Sequence, residues 1–293
     1  MWAAYGILLN RTKLYGNLPQ AKDAQFTVGG KRKRDEGMEV DNTPISLLRG
    51  QVPSLAKALL QQLKSPKTPV ATLQGGYSLL NTLLTVLPGC LVAQTSQVIS
   101  NTKAVLQQSS TASAANLQVS CLSFLGLFFS SHPATTYSNT LESALPVLLK
   151  SISERHPKIA SEGFRTFSSL LNASAPVAGG AWVDRVYTEA VTRLSNHDTD
   201  AEVRACGEQV IGDLWICATE VVKDKGGREW EAICRATART EGAVDVVTRV
   251  AQKAEISDQW VNGCVEWVLG LLKKSGRAGK SDVFACLDAL LRR

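Results

Sequence analysis

Apolar residues recur at helical spacing along almost the whole chain from Thr43 onward. The apolar blocks run for roughly 12 to 18 residues, and Pro, Gly, Asn and Ser separate them. This arrangement is typical of helices joined by short turns, and no alternating strand pattern competes with it. The pattern therefore predicts an all-α protein.

The helical blocks form pairs, and the second block of each pair recurs recognisably along the chain. These second blocks begin, in chain order, at Tyr77, Leu122, Phe164, Ile211, Val244 and Val283. The first three steps are 45, 42 and 47 residues, the next is shorter, and the last is 39 residues. Steps of this size are close to those of HEAT and armadillo helix pairs.

A helix pair with two apolar faces cannot bury both by folding on itself, so it must stack on its neighbours. We therefore predict a HEAT/armadillo-type α-solenoid, a right-handed superhelix of stacked helix pairs, with about six HEAT-type repeats in residues 43–293. Such an array exposes a long surface for protein partners. The alternative, a single large globular helical domain, would not require a regular period.

Two segments precede the predicted array. Residues 1–15 are apolar enough to form one helix of a preceding repeat. Residues 16–42 are polar and contain Gly29-Gly30, so we expect a flexible polar loop that buries little.

Four contiguous cations, Lys31, Arg32, Lys33 and Arg34, lie in the predicted loop. Such a run resembles a nuclear localisation signal, which binds in extended form to an acidic, tryptophan-lined groove of an import adaptor. A solvated charge run in a linker is the alternative interpretation.

The clearest local repeat signature surrounds Asp200, Val203 and Arg204. The aspartate is suited to cap a helix N-terminus, and the Val-Arg pair opens an apolar ladder in the helix that follows. In HEAT repeats this arginine commonly pairs with an acidic residue near the inter-helix turn of an adjacent unit. An ordinary exposed charge is the alternative for Arg204.

Charge and cysteine content narrow the classes of partner and compartment. The formal net charge is +6, of which the run at residues 31–34 supplies four, and no basic stripe with interleaved aromatic residues remains. Nucleic acid is therefore not expected as a partner. No apolar run reaches the length of a membrane-spanning helix, so no membrane association is expected. The scattered cysteines include no C-x-x-C pair, and they predict buried thiols in a reducing compartment.

The sequence contains no motif for catalysis or ligand binding. Walker, H-E-x-x-H and G-x-S-x-G patterns are absent, and the three histidines stand far apart. We therefore predict no catalytic, cofactor-binding or metal-binding residues, no cofactor and no enzymatic activity.

Five stretches of the chain can be compared with a known family by their order and spacing. They are Ala4–Thr12, Thr43–Leu48, Gln51–Leu59, Leu83–Gly89 and Ala144–Val147. In that order they resemble the middle of the cullin-associated, neddylation-dissociated family, the HEAT-repeat exchange factors of cullin-RING ubiquitin ligases. The resemblance weakens after about residue 223.

The resemblance implies a non-enzymatic scaffold that binds unneddylated cullin and takes part in assembly, disassembly and substrate-receptor exchange of SCF and other cullin-RING ligases. Family members have well over twenty repeats, so this chain looks like a fragment or a shortened gene product. Companion segments of the same solenoid are then further expected partners. Nucleus and cytoplasm are the expected compartments. The alternative is an importin-type nuclear transport receptor or another HEAT-repeat scaffold.

Overall fold

A computed structural model describes residues 6–7, 9–11, 44–64, 67–107, 112–173, 180–196, 198–222, 240–274 and 280–292. These residues form α-helices joined by turns and one short 3₁₀ helix, and they contain no strand. The helices are arranged in two layers. One layer is a continuous stack in which each helix packs on the next, and in the other layer the first four helices stack in the same way.

The second layer consists of the helices that contain the recurring blocks of the sequence. They are α2 (Val70–Val86), α4 (Ala112–Ser131), α6 (Pro157–Ala173), α8 (Ala201–Cys217), α10 (Thr240–Lys253) and α12 (Lys280–Leu291). Each of them packs on the next along the whole series. The recurring apolar blocks are thus the segments that form this stack.

The first layer contains the other helices of the pairs. They are α1 (Pro44–Lys64), α3 (Thr95–Leu106), α5 (Ala134–Ile152), α7 (Ala181–Ser195), α9 (Thr219–Val222) and α11 (Asp258–Lys274). The helices α1, α3, α5 and α7 stack in that order, and each also packs on the second-layer helix that follows it. The all-α solenoid of stacked helix pairs predicted from the sequence is therefore confirmed.

Prolines and one glycine set several helix ends. Pro69 and Pro133 immediately precede α2 and α5, where a residue without a backbone N–H costs no helical hydrogen bond. After α2 the chain turns through Gly89, whose φ of 78° is in the left-handed region that favours glycine. The turn returns the chain to the first layer at α3.

Aromatic side chains fill the core between the first pairs. The ring centroids of Tyr77 and Phe124 are 5.6 Å apart, which joins α2 to α4. Between α4 and α5, which belong to the next two helix pairs, the ring centroids of Phe129 and Tyr137 are 4.9 Å apart. These four side chains are at most 1% exposed. Edge and tilted contacts between such rings add to the free energy gained by burying their area.

The helix α10 has two apolar faces, and each belongs to a different part of the core. Ala243, Val246 and Val250 join the core that extends back through α8 and the earlier pairs. Val244 and Val247 join a second cluster with α11 and α12. One helix thus links two adjacent cores, as a stacked array requires.

Hydrogen bonds between neighbouring pairs join equivalent parts of successive repeats. In the first layer, the buried Asn101 donates from Nδ2 to the carbonyl oxygen of Leu60 at 2.7 Å. Arg193 donates to the carbonyl oxygen of Ile152 at 3.1 Å. In the second layer, the hydroxyl of Thr166 donates to the carbonyl oxygen of Leu122 at 3.0 Å.

An ion pair between α8 and α10 is deeply buried on its acidic side. Arg249 Nη1 lies 2.7 Å from Asp213 Oδ1, and the side chains are 26% and 1% exposed. A Cβ added at Gly212 would lie 2.5 Å from Arg249 Nη2, so a glycine at this position makes room for the guanidinium. Arg249 also donates to the carbonyl oxygen of Gln209.

One described helix segment, Ala114–Ser131, is long and apolar enough to cross a membrane by length and composition alone. It lies in α4, where 61% of its residues are buried inside the protein. Its apolar character matches its central place in the second layer, between α2 and α6.

We predict that Arg249→Ala lowers the free energy of unfolding of the C-terminal pairs by about 3 kcal/mol. The reason is that the carboxylate of Asp213 would stay buried without its counter-charge. Urea denaturation, together with hydrogen exchange of the α10 amides, measures the loss.

The control is Arg165→Ala, which removes an ion pair to Glu202 whose side chains are 50% and 49% exposed. This change is expected to cost less than about 1 kcal/mol. Equal losses in the two variants would contradict the importance of burial at Asp213.

Candidate protein-binding surface

The second-layer helices α2, α4 and α6 each leave a stripe of side chains outside the core, at spacings of three and four residues. Helical geometry places such residues on one face. On α2, α4 and α6 the stripe residues are Gln74, Ser78, Thr82 and Thr85; Asn116, Ser120, Ser123, Leu127 and Ser130; and Lys158, Glu162, Arg165, Ser169 and Asn172. These residues are exposed or half-buried.

The stripes of α2 and α4 contain no charged residue. Between Lys67 and Glu142 the sequence has one Lys, Arg, Asp or Glu, namely Lys103 in α3. His132 lies in the same stretch, but it is 3% exposed and burial lowers the pKa of its imidazole. We call the stripes of α2 and α4 the charge-free face.

Hydroxyl groups on the charge-free face donate to their own helices. Thr82 and Thr85 donate to the carbonyl oxygens of Ser78 and Asn81, at 3.0 and 2.9 Å. Ser120 and Ser130 do the same toward carbonyl oxygens four residues earlier, each at 3.0 Å. Because a hydroxyl has one proton, the outward side of each of these groups offers acceptor capacity.

Charges begin at the N-terminal half of the α6 stripe. Arg165 lies 3.0 Å from Glu162 on its own helix and 2.8 Å from Glu202 at the start of α8. This group is an arginine–acid pair between adjacent units, and it involves a different arginine from the Arg204 of the repeat signature. The exposed stripes of the second layer are therefore uncharged on α2 and α4, and charges appear in the first half of the stripe on α6.

The three signature residues lie where α7 turns into α8. Asp200 caps α8, because its carboxylate accepts from the backbone N–H of Glu202 at 2.8 Å. Val203 is 2% exposed. Arg204 donates to the carbonyl oxygens of Leu194 and Asn196, at 3.0 and 2.8 Å, and so satisfies the C-terminal end of α7.

The cation run Lys31, Arg32, Lys33 and Arg34 and the predicted loop at 16–42 lie outside the described residues. Of the predicted helix at 1–15, residues 6–7 and 9–11 are described and helical. Leu9 is 3% exposed and belongs to the main core.

The described part of the chain contains mostly buried thiols and a cavity beside α1. Among those residues no three His, Cys, Asp or Glu side chains cluster as metal ligands. Burial raises the pKa of the Cys121 thiol to about 12 and that of Cys90 to about 11, so both thiols stay protonated near pH 7. A cavity of about 490 Å³ lies between α1 and the end of α2, with Val52, Val86 and Leu87 in its lining.

Glu208 is a buried acid that the sequence analysis did not identify. It is 5% exposed on α8, and a Cβ added at Gly242 in the first turn of α10 would lie 3.1 Å from its Oε2. Burial raises the pKa of its carboxyl from 4.5 to about 7, although the charge of Arg204 acts in the opposite direction. Its position between polar residues gave no signal of burial.

The chain is similar to proteins that are named for their association with cullins. Residues 89–210 match a family model described as CAND1-like, TPR repeats. Cullin-associated NEDD8-dissociated protein 1 of Arabidopsis thaliana is 28% identical over 209 residues, which cover 64% of this chain and 17% of that protein. The match thus spans about a sixth of the relative's length. The resemblance predicted from the sequence is confirmed for this CAND1-like portion.

Solved structures share the fold at low sequence identity. A designed armadillo repeat protein in complex with the peptide (KR)4 has a TM-score of 0.58 at 13% identity, covering 80% of this chain and 98% of that one. Kap121p bound to Nup53p has a TM-score of 0.55 at 14% identity, covering 81% of this chain and 25% of that one. Both support the armadillo/HEAT-type architecture.

We predict that the free energy of unfolding decreases as the pH rises from about 4.5 to about 7, in part because of Glu208. Over this range the folded protein keeps the Glu208 proton while the unfolded chain has lost it, so the stabilisation present at low pH is lost. Glu208→Gln, which keeps a neutral side chain, is expected to reduce the decrease.

Chemical denaturation at several pH values measures this effect. The control is Glu142→Gln on α5, which replaces an exposed carboxylate and is expected to retain the wild-type pH dependence. An unchanged decrease in Glu208→Gln would show that this carboxyl does not titrate as proposed.

Proposed function

We propose that this chain is a non-enzymatic scaffold that binds unneddylated cullin and contributes to assembly, disassembly and substrate-receptor exchange of cullin-RING ubiquitin ligases. The observation that carries the proposal is the CAND1-like match at residues 89–210, which coincides with the central pairs of the stack. The Arabidopsis relative is named for cullin association and NEDD8 dissociation.

The architecture suits noncovalent action over a broad surface. The stacked pairs present two long layers, and the part of the chain that the structure describes has no group of three His, Cys, Asp or Glu side chains that could hold a metal. A scaffold of this kind acts by differential affinity, because a partner that binds one state of an assembly more tightly shifts the population toward that state. Competition for overlapping surface would release one bound component in favour of another.

The second candidate function is nuclear transport of the importin type. It is favoured by the similarity of the fold to Kap121p, which is seen bound to Nup53p. The similarity extends to the fold alone, at 14% identity, whereas the cullin-associated relatives also match in sequence. Cullin binding is therefore the first proposal.

We predict that the tagged chain captures unmodified cullin and captures much less neddylated cullin. Companion segments that supply the remaining length of the relatives' solenoid should increase capture, because affinity depends on the contact area and on its quality. EDTA and the absence of nucleotide should have no effect. Capture is measured by pull-down with purified cullin in both modification states.

The importin alternative supplies the contrary outcome of that experiment. Capture of import adaptors or cargo, with no cullin in either modification state, would replace the exchange-factor proposal by the transport proposal. A variant with a disrupted core, Phe164→Asp in α6, is a control for nonspecific capture, because this side chain is fully buried.

We also propose that the chain is present in both the nucleus and the cytoplasm. Its entry into the nucleus is directed by Lys31, Arg32, Lys33 and Arg34. Replacing these four cations by alanine should shift a fluorescent fusion from nucleus to cytoplasm. The melting temperature should stay nearly unchanged, because the sequence predicts a polar loop at these positions and substitutions in such a loop cost little. An equally nuclear fusion after the change would disprove the localisation signal.

A further inference from the structure

The charge-free face has a composition that folding does not require. Ser, Thr and Asn are weaker helix formers than Lys, Glu, Arg or Ala, because their side chains compete for backbone hydrogen bonds. An exposed stripe selected for stability and solubility would normally carry charges, as α6 does at Lys158, Glu162 and Arg165. The stripes of α2 and α4 instead carry hydroxyls, carboxamides and Leu127.

The two stripes form one continuous surface. The rings of Tyr77 and Phe124 hold α2 against α4 at a centroid distance of 5.6 Å. On the other side, a Cβ added at Gly126 would lie 3.4 Å from Ser169 Oγ, so α4 and α6 also approach closely. Helices of this length, set about 10 Å apart, give a face of roughly 30 by 20 Å. That area is a substantial part of a specific interface on one partner.

The chemistry of the face selects its partner. Lys, Glu and Asp are depleted at the centres of protein interfaces. Ser is depleted in interfaces in general, but Ser and Asn provide the adaptable hydrogen bonds of antibody paratopes, which are more polar interfaces. A lysine or glutamate buried against the charge-free face would lose water without gaining a counter-charge, which is costly. Uncharged donors, such as amide and indole N–H groups, can instead pair with the outward acceptors of Thr82, Thr85, Ser120 and Ser130.

We propose that the charge-free face is the docking surface for the cullin scaffold, and that the docked region of the cullin is an uncharged, donor-bearing protein surface. This inference rests on the proposed function and adds the place and the chemistry of contact. The contact does not depend on charge attraction, so its affinity should vary little with salt.

The test inserts a charge of either sign at one position. Ser123 is exposed in the middle of the α4 stripe. Ser123→Glu and Ser123→Lys should each weaken binding of unmodified cullin to the full chain by about tenfold or more, because either charge is desolvated without a partner. Ser78→Glu on α2 should act in the same direction. Binding of immobilised chain is measured by biolayer interferometry at 50 and 500 mM NaCl.

The control is Thr188 on α7, an exposed hydroxyl residue outside the charge-free face that donates to the carbonyl oxygen of Asp184 at 2.9 Å, as Thr82 and Ser120 do within that face to carbonyl oxygens four residues earlier. Thr188→Glu and Thr188→Lys should change affinity less than about twofold. All variants should melt within about 2 °C of the wild type, which excludes unfolding as the cause of lost binding.

The outcomes separate the two proposals. If Ser123→Glu and Ser123→Lys changed affinity in opposite directions, docking would be electrostatic and this inference would be wrong. If the variants at positions 78 and 123 bound as tightly as the wild type, the cullin would dock elsewhere, although the proposed function would stand. If the wild-type chain, with companion segments present, bound no cullin, the proposed function would fail and this inference with it.

Discussion

The structure depends on one constraint, which is that each helix pair has more apolar surface than it can bury within itself. The helix α10 shows this directly, since alternate valines belong to two separate clusters of the core. Burial is completed only when another pair stacks on each side, so that stacking is the folding event and not a later assembly step. Both layers, the central apolar helix α4 and the long exposed stripes follow from it.

Apolar stacking fixes which faces meet, but it leaves the helices free to slide and rotate. The polar contacts between pairs restrict that freedom. Asn101, Thr166 and Arg193 each bond to a carbonyl oxygen of the preceding pair, and such directional bonds hold only in one register. The buried pair of Asp213 and Arg249 also joins two neighbouring pairs, farther along the chain. Replacing both members of such a pair by well-packed apolar residues is often neutral for stability, whereas removing one member is costly.

The sequence predicted the helices and their pairing well, because the signal is local. An apolar residue every three or four positions shows which side of a helix is buried, whatever that side packs against. The second-layer blocks at Tyr77, Leu122, Phe164 and Ile211 were therefore visible from their spacing. The polar interior was not visible. Glu208 and Asp213 have the same local pattern as surface acids, and their burial depends on a helix about 35 residues away.

The candidate surface is an intermediate case. The single charge between Lys67 and Glu142 is plain in the sequence, yet its meaning depends on which residues are outside the core. Burial explains the low charge density of this stretch only in part, because the exposed stripes within it are uncharged as well. A low charge density in an apolar core is expected, whereas the same density on an exposed stripe requires a separate reason.

The register of the polar contacts between pairs also limits where such a chain can gain or lose residues. Asn101 and Leu60, His132 and Leu91, and Arg193 and Ile152 are each separated by 41 residues. An inserted residue inside a helix would rotate every later side chain by about 100° and break this match. An inserted residue in a turn that carries none of these contacts would leave both partners in place. Insertions and deletions are therefore tolerated in the turns alone, and homologous chains should diverge in length there while the helices keep their lengths.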